Sequence, residues 1–123
     1  MATKFTSIAV VDDDKFVLKA LKRLLRSHGY DAVTYASARE FLTVLADRQP
    51  DCLILDLQMP NIGGLELLDH LSRQGISLPT IVITAQSGRQ VAQRCVAAGA
   101  AAILSKPIQD ALLFSAITEL STR

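Results

Sequence analysis

Asp56 closes the most apolar stretch of the chain, Cys52-Leu53-Ile54-Leu55-Asp56, and Leu57-Gln58-Met59-Pro60 follows it. Such a run reads as a strand buried on both faces. A carboxylate at the C-terminal end of a parallel strand stands where ligands and reacting groups collect in α/β sheets. Asp12, Asp13 and Asp14 follow a second apolar run, Thr84 ends a third and Lys106 a fourth. Three carboxylates in one crevice repel one another unless a cation compensates. Oxygen ligands with no His or Cys beside them favour a hard ion, magnesium or manganese, over zinc. Magnesium commonly completes its shell with a phosphate oxygen. A carboxylate can attack phosphorus to give an aspartyl phosphate. That reaction depends on in-line placement and on neutralising the equatorial oxygens. The metal, the Lys106 ammonium and the Thr84 hydroxyl could each serve one oxygen. No general base is required, because a carboxylate is already ionised near neutral pH.

These residues need a scaffold that brings strand ends together, and the chain alternates strand and helix patterns throughout. Strands are expected over Thr6–Val11, Asp31–Tyr35, Asp51–Leu57, Leu78–Thr84 and Ala101–Ser105. Between them lie helical patterns. The first runs from Asp14 to His28, with Val17, Leu21, Leu24 and Leu25 at core spacing and Gly29 as its stop. The second opens on the capping box Ser37-Ala38-Arg39-Glu40 and carries Phe41, Leu42 and Leu45. Gly63-Gly64 precedes the third, which carries Leu65, Leu67, Leu68 and Leu71. The fourth runs from about Gly88 to Ala98 and the fifth from about Asp110 to Leu120, with Leu113, Ala116, Ile117 and Leu120 facing the core. Strands one, three and four are the most continuously apolar and belong in the centre. Right-handed crossovers then give a doubly wound, five-stranded parallel sheet of order 2-1-3-4-5, a flavodoxin-like three-layer α/β/α fold. Its switch point lies between strands one and three, where Asp12, Asp13 and Asp56 meet.

A length of 123 residues suits one domain, 1–123, and a chain that is 50% hydrophobic can build a core without disulfides or structural metal. The net charge of +1 points to neither nucleic acid nor an anionic membrane. Met1-Ala2-Thr3-Lys4-Phe5 lacks a signal-peptide core, and no apolar run approaches the ~20 residues of a membrane span. Cys52 and Cys95 read as reduced core residues, which fits a cytoplasmic location. His28 and His70 lie on helices without ligand spacing and read as surface or packing residues.

The chain resembles the response-regulator receiver domain of bacterial two-component signalling over essentially its whole length. The resemblance is carried by Val10-Val11-Asp12-Asp13-Asp14, Leu55 to Gly64, Val82-Ile83-Thr84-Ala85 and Ser105-Lys106-Pro107. It implies that Asp56 is the phosphoacceptor. It implies Asp13 as a direct metal ligand, Asp12 as an acid acting through metal-bound water, and the Gln58 backbone carbonyl as a further ligand. Thr84 is then the switch hydroxyl and Lys106 the phosphate-binding lysine, with a cis Lys106–Pro107 bond. Ala85 leaves the phosphoryl group accessible, and Gln58 and Gln86 stand where the family tunes its loss. The implied donor is a sensor histidine kinase or a histidine phosphotransfer protein. The implied output face is helix four, strand five and helix five, serving an output domain or a homodimer. Arg89, Gln90, Gln93, Arg94, Ile103, Leu112 and Phe114 are its candidate residues, the last two because they lie off the core stripe. The likeness is closest to receivers joined to helix-turn-helix DNA-binding outputs, although this domain itself is not expected to bind nucleic acid or membrane.

Two departures from the family pattern stand out. Ile103 occupies the place of a switch Tyr or Phe and makes no ring swing, and Ile108 stands where Phe often follows Lys-Pro. A second reading is therefore a receiver that docks partners independently of phosphorylation, or a phosphate sink. A metal-dependent phosphatase of the haloacid-dehalogenase kind would carry a second acid two residues after its nucleophile, and Gln58 argues against it. Lys15, Lys19, Lys22, Arg23 and Arg26 recur along helix one, either as a solvated face or as a docking surface for the phosphodonor.

Overall fold

The computed structural model describes residues 4–86 and 88–122. Met1 to Thr3, part of the stretch that lacks a signal-peptide core, lie outside this range, as do Ser87 and Arg123. Five strands alternate with five helices: β1 (Ser7–Val11), α1 (Lys15–Ser27), β2 (Asp31–Tyr35), α2 (Ala38–Leu45), β3 (Cys52–Asp56), α3 (Gly64–Arg73), β4 (Thr80–Thr84), α4 (Arg89–Ala97), β5 (Ala102–Ser105) and α5 (Asp110–Ser121). All four strand pairings are parallel and the sheet order is β2-β1-β3-β4-β5. This is the flavodoxin-like architecture expected from the sequence, with element ends shifted by one or two residues, as hydrogen-bond assignment commonly shifts them.

The alternation of strand side chains explains the three layers. Ile8, Val10, Ile54, Ile81 and Ile83 share one core with Leu18, Leu21 and Leu25 of α1 and with Leu113, Ile117 and Leu120 of α5. Ala9, Val11, Leu53, Leu55 and Val82 face the opposite way. They pack with Phe41 and Leu45 of α2, Leu67 and Leu71 of α3 and Cys95 of α4. β3 and β4 are buried along their whole lengths, as central strands must be. At the lower edge Asp51 clamps the entry of β1 to that of β3. Its carboxylate accepts the Thr6 N–H at 2.8 Å and the Ser7 N–H at 3.0 Å. These two backbone donors hold the Asp51 carboxyl below its ordinary range.

Three local expectations are refined. In α1 the buried stripe is Leu18, Leu21 and Leu25, whereas Val17 and Leu24 lie partly buried on its flank. In the α2 capping box the Glu40 N–H does reach Ser37 Oγ, at 3.1 Å, but the Glu40 carboxylate accepts from Ala36 N–H, one residue before the cap. Phe114 is not a free surface ring: it packs against the α1–α5 core and stacks on His28, with centroids 3.7 Å apart and planes 16° from parallel. Leu112, by contrast, is 52% exposed.

Candidate functional site

The register of the parallel sheet delivers the reactive side chains to one edge. Val11 pairs with Leu55, Asp56 with Ile83 and Thr84 with Ser105, so the residues at and after these positions share the C-terminal rim. Asp12 and Asp13 leave β1, Asp56 ends β3, Thr84 ends β4 and Lys106 leaves β5. Asp14 separates from the group by capping α1, its carboxylate accepting the Phe16 N–H at 2.9 Å.

Asp12 and Asp56 are 2% and 4% exposed, and Asp13 is open to solvent at the rim. One carboxylate oxygen from each of Asp12, Asp13 and Asp56 lies within 4.8 Å of the others. Lys106 Nζ stands 3.2 Å from Asp56 Oδ1 and 3.4 Å from Asp12 Oδ2. Asp12 also accepts the Asp14 N–H at 2.9 Å. Burial and the Asp12 charge push the Asp56 carboxyl above its ordinary range, with Lys106 and the Gln58 N–H opposing them. For Lys106, burial pulls the ammonium down, but hydrogen bonding to Asp56 and the charges of Asp12 and Asp56 outweigh it and hold it up. Among the described residues, one ammonium thus pairs with a cluster carrying three carboxylates.

Such a donor set fits a hard divalent cation, which would supply the missing positive charge. Soft ligands play no part. Cys52 begins β3, at the opposite end from Asp56, and burial pushes its thiol up to about 12. Cys95 is buried in the α4 face, and burial raises its thiol as well. His28 is engaged with Phe114, and His70 lies exposed on α3.

The Thr84 hydroxyl is buried and accepts the Gln86 N–H at 2.9 Å. Ala85, Gln86 and Gln58 are exposed around the rim. The Lys106–Pro107 bond is cis, as the resemblance implied. Ile103 is half-buried and packs with the α2–α4 core, on the edge strand β5. In the sequence pattern Gly64 stands only as a residue before the third helix. It is in fact the buried first residue of that helix and donates its N–H to the Leu57 carbonyl at 3.0 Å. The Gly63-Gly64 pair was the available signal.

Comparison with known proteins gives one answer. The response regulator receiver domain family matches residues 8–118. Nodulation protein W of Bradyrhizobium diazoefficiens is 34% identical over 116 residues, covering 94% of this chain and 51% of that protein. The transcriptional regulatory protein FixJ of Rhizobium meliloti is 34% identical over 115 residues, covering 94% and 56%. The chain thus spans about half the length of these curated relatives. Among solved structures, a response regulator receiver protein from Burkholderia phymatum is 43% identical with a TM-score of 0.83, covering 94% of both chains. FixJ-N is 34% identical with a TM-score of 0.86, covering 94% of this chain and 93% of that one. Sequence, strand order and acidic rim agree along the same stretch, and the chain belongs to the response regulator receiver domains, the aspartyl-phosphate switches of two-component systems.

Proposed function

We propose that Asp56 takes a phosphoryl group from a phosphohistidine donor and that Mg2+ (or Mn2+) is held by Asp12, Asp13, Asp56 and the Gln58 backbone carbonyl. In this reading Asp13 is a direct ligand and Asp12 acts through metal-bound water. The observation that carries it is the gathering of three carboxylates with an oxygen of each within 4.8 Å of the others, two of them paired with Lys106. When bound, the metal neutralises phosphoryl charge. An oxygen of Asp56 attacks phosphorus as the phosphorus–nitrogen bond of the donor breaks. The departing imidazole keeps the electron pair and then takes a proton from water. Lys106 binds a second phosphoryl oxygen as a point charge, and the Thr84 hydroxyl donates to a third. The same hydroxyl accepts the Gln86 N–H while keeping its own proton to donate, which links the phosphoryl group to the segment entering α4. This link shifts the balance between two conformations of one output face.

The donor is a sensor histidine kinase or a histidine phosphotransfer protein. An apolar groove of about 270 Å³ between α1 and the β5–α5 loop, lined by Val17, Ala20, Leu24, Lys106 and Ile108, supports docking there. Phe16, 86% exposed at the start of α1, extends that surface. The domain occupies residues 1–123. Its output runs through α4, β5 and α5 to an output domain or a second copy, with Val96 on α4 and Leu112 on α5 exposed apolar residues of those elements. FixJ is named a transcriptional regulatory protein, and a transcriptional output suits this chain. No helix among the described residues is long and apolar enough to cross a membrane, which agrees with a cytoplasmic site of action.

Intact mass after incubation with acetyl phosphate and magnesium tests the chemistry. The expected result is one phosphoryl adduct on the wild type, lost without metal and in Asp56→Asn. Absence of an adduct from acetyl phosphate, from a phosphohistidine donor and from a beryllofluoride mimic alike overturns it. The half-buried aliphatic Ile103 favours one second reading, a receiver that docks its partner whether or not it is phosphorylated. Equal partner affinity with and without beryllofluoride would select that reading.

A further inference from the structure

We propose that Gly64 is a positioning residue of the phosphoacceptor site: because it carries no side chain, the first turn of α3 lies directly on the Asp56–Leu57 backbone and sets the loop that presents Gln58. The proposal rests on the metal and phosphoacceptor assignment made above. A Cβ at Gly64 would stand 2.8 Å from the Asp56 carbonyl oxygen, 2.8 Å from Leu57 Cα and 3.2 Å from the Leu57 carbonyl oxygen. All three are backbone atoms, so no side-chain rotation relieves the contact. They belong to the phosphoacceptor itself and to the residue joining it to Gln58. Gly64 has no left-handed φ, so what the position demands is space rather than conformational freedom. Gly63 gives the contrast one residue earlier: a Cβ there would find its nearest atom at 3.7 Å, an ordinary contact.

The strand offers no slack to absorb the displacement. Asp56 pairs with Ile83 in β4, and the Leu57 N–H donates to the Ile83 carbonyl at 2.9 Å. A side chain at Gly64 therefore shifts the Leu57–Gly63 loop, whose Gln58 lies two residues beyond Asp56 and whose Asn61 already sits at a φ of 67°. The carboxylates would remain while their distance to the Gln58 carbonyl changed.

Mn2+ binding, read from the electron paramagnetic resonance signal of the free ion, tests this on wild type, Gly64→Ala and Gly63→Ala. Thermal unfolding of each metal-free protein is recorded alongside. Gly64→Ala is expected to weaken Mn2+ binding about tenfold or more, as loss of a supporting contact behind a metal site does, while Gly63→Ala stays within about twofold. A folded Gly64→Ala protein with wild-type affinity overturns the proposal, whatever its unfolding temperature. If Gly64→Ala does not fold, amide exchange in the wild type decides. Coupling is reciprocal, so Mg2+ should slow exchange of the Gly64 N–H more than that of Leu71, about two turns along α3. Equal slowing overturns it. Wild-type protein that binds neither ion overturns the metal assignment, and the proposal with it, and is recognised by the flat wild-type titration.

Discussion

The Lys106 ammonium lies 3.2 Å from the Asp56 carboxylate, joining the ends of β5 and β3 across the intervening β4. The same nitrogen is 3.4 Å from Asp12. Lys106 therefore compensates two buried carboxylates before any metal arrives, and its charge opposes an incoming divalent ion. Its two roles predict opposite effects on binding and on chemistry. Lys106→Met should bind Mn2+ more tightly than the wild type. Phosphorylation by acetyl phosphate at saturating metal should slow by about a hundredfold, the scale of losing one preorganised donor to developing charge. Titration calorimetry and single-turnover mass spectrometry measure the two quantities. An unchanged rate would mean that Lys106 serves only to hold the carboxylates together.

Asp56 itself should cost the metal-free fold stability at neutral pH. Its folded pKa is raised by burial and by Asp12, so the folded state binds the proton more readily than the unfolded chain. Stability contributed by this group rises as pH falls through the folded value and is lowest where the carboxylate is fully ionised. Asp56→Asn is thus expected to be more stable than wild type at pH 7, on the order of 1 kcal/mol, with the gain vanishing in acid. Asp51 carries the opposite sign, because Thr6 and Ser7 lower its pKa. Asp51→Asn should be less stable at pH 7, with the deficit closing as pH falls through the depressed value. Urea unfolding of the three proteins from pH 8 down to pH 3, without metal, reads both signs. A destabilised Asp56→Asn at pH 7 would contradict the first.

The sheet order and the placement of the candidate site residues on one rim were legible because each depends on local signals that agree. Strands one, three and four are apolar without interruption, so they had to be central, and a parallel sheet then places Asp12, Asp56, Thr84 and Lys106 on one rim. The cap at Asp14 and the stop at Gly29, whose φ is +89°, follow from residue type alone. What escaped depends on how two elements approach each other. Helical spacing leaves Leu18 and Val17 nearly equivalent as core candidates in α1, and only the sheet decides for Leu18. Gly64 looks like a loop residue until α3 is laid against the Asp56–Leu57 backbone. Glu40 accepts the Ala36 N–H rather than that of the cap residue, which residue types alone do not specify.

Phe114 is the sharpest case. Counted along α5 it falls off the buried stripe, yet the C-terminal end of α1 brings His28 over its ring, and Tyr30 lies beside it with a 6.4 Å centroid separation. The two apolar residues of the α5 surface should then separate on mutation. Phe114→Ala removes a half-buried ring and its stacking contact with His28 and should cost about 2 kcal/mol in urea unfolding. Leu112→Ala removes an exposed side chain and should stay within about 0.5 kcal/mol. His28→Ala should reproduce part of the Phe114 loss, and the double variant should fall short of the sum, because the rings share one contact. Additive losses would show that the stack contributes nothing beyond each ring's own burial. Sedimentation of the phosphorylated protein completes the comparison. If α5 supports self-association, Leu112→Ala weakens it in a fully stable domain, whereas Phe114→Ala acts through stability.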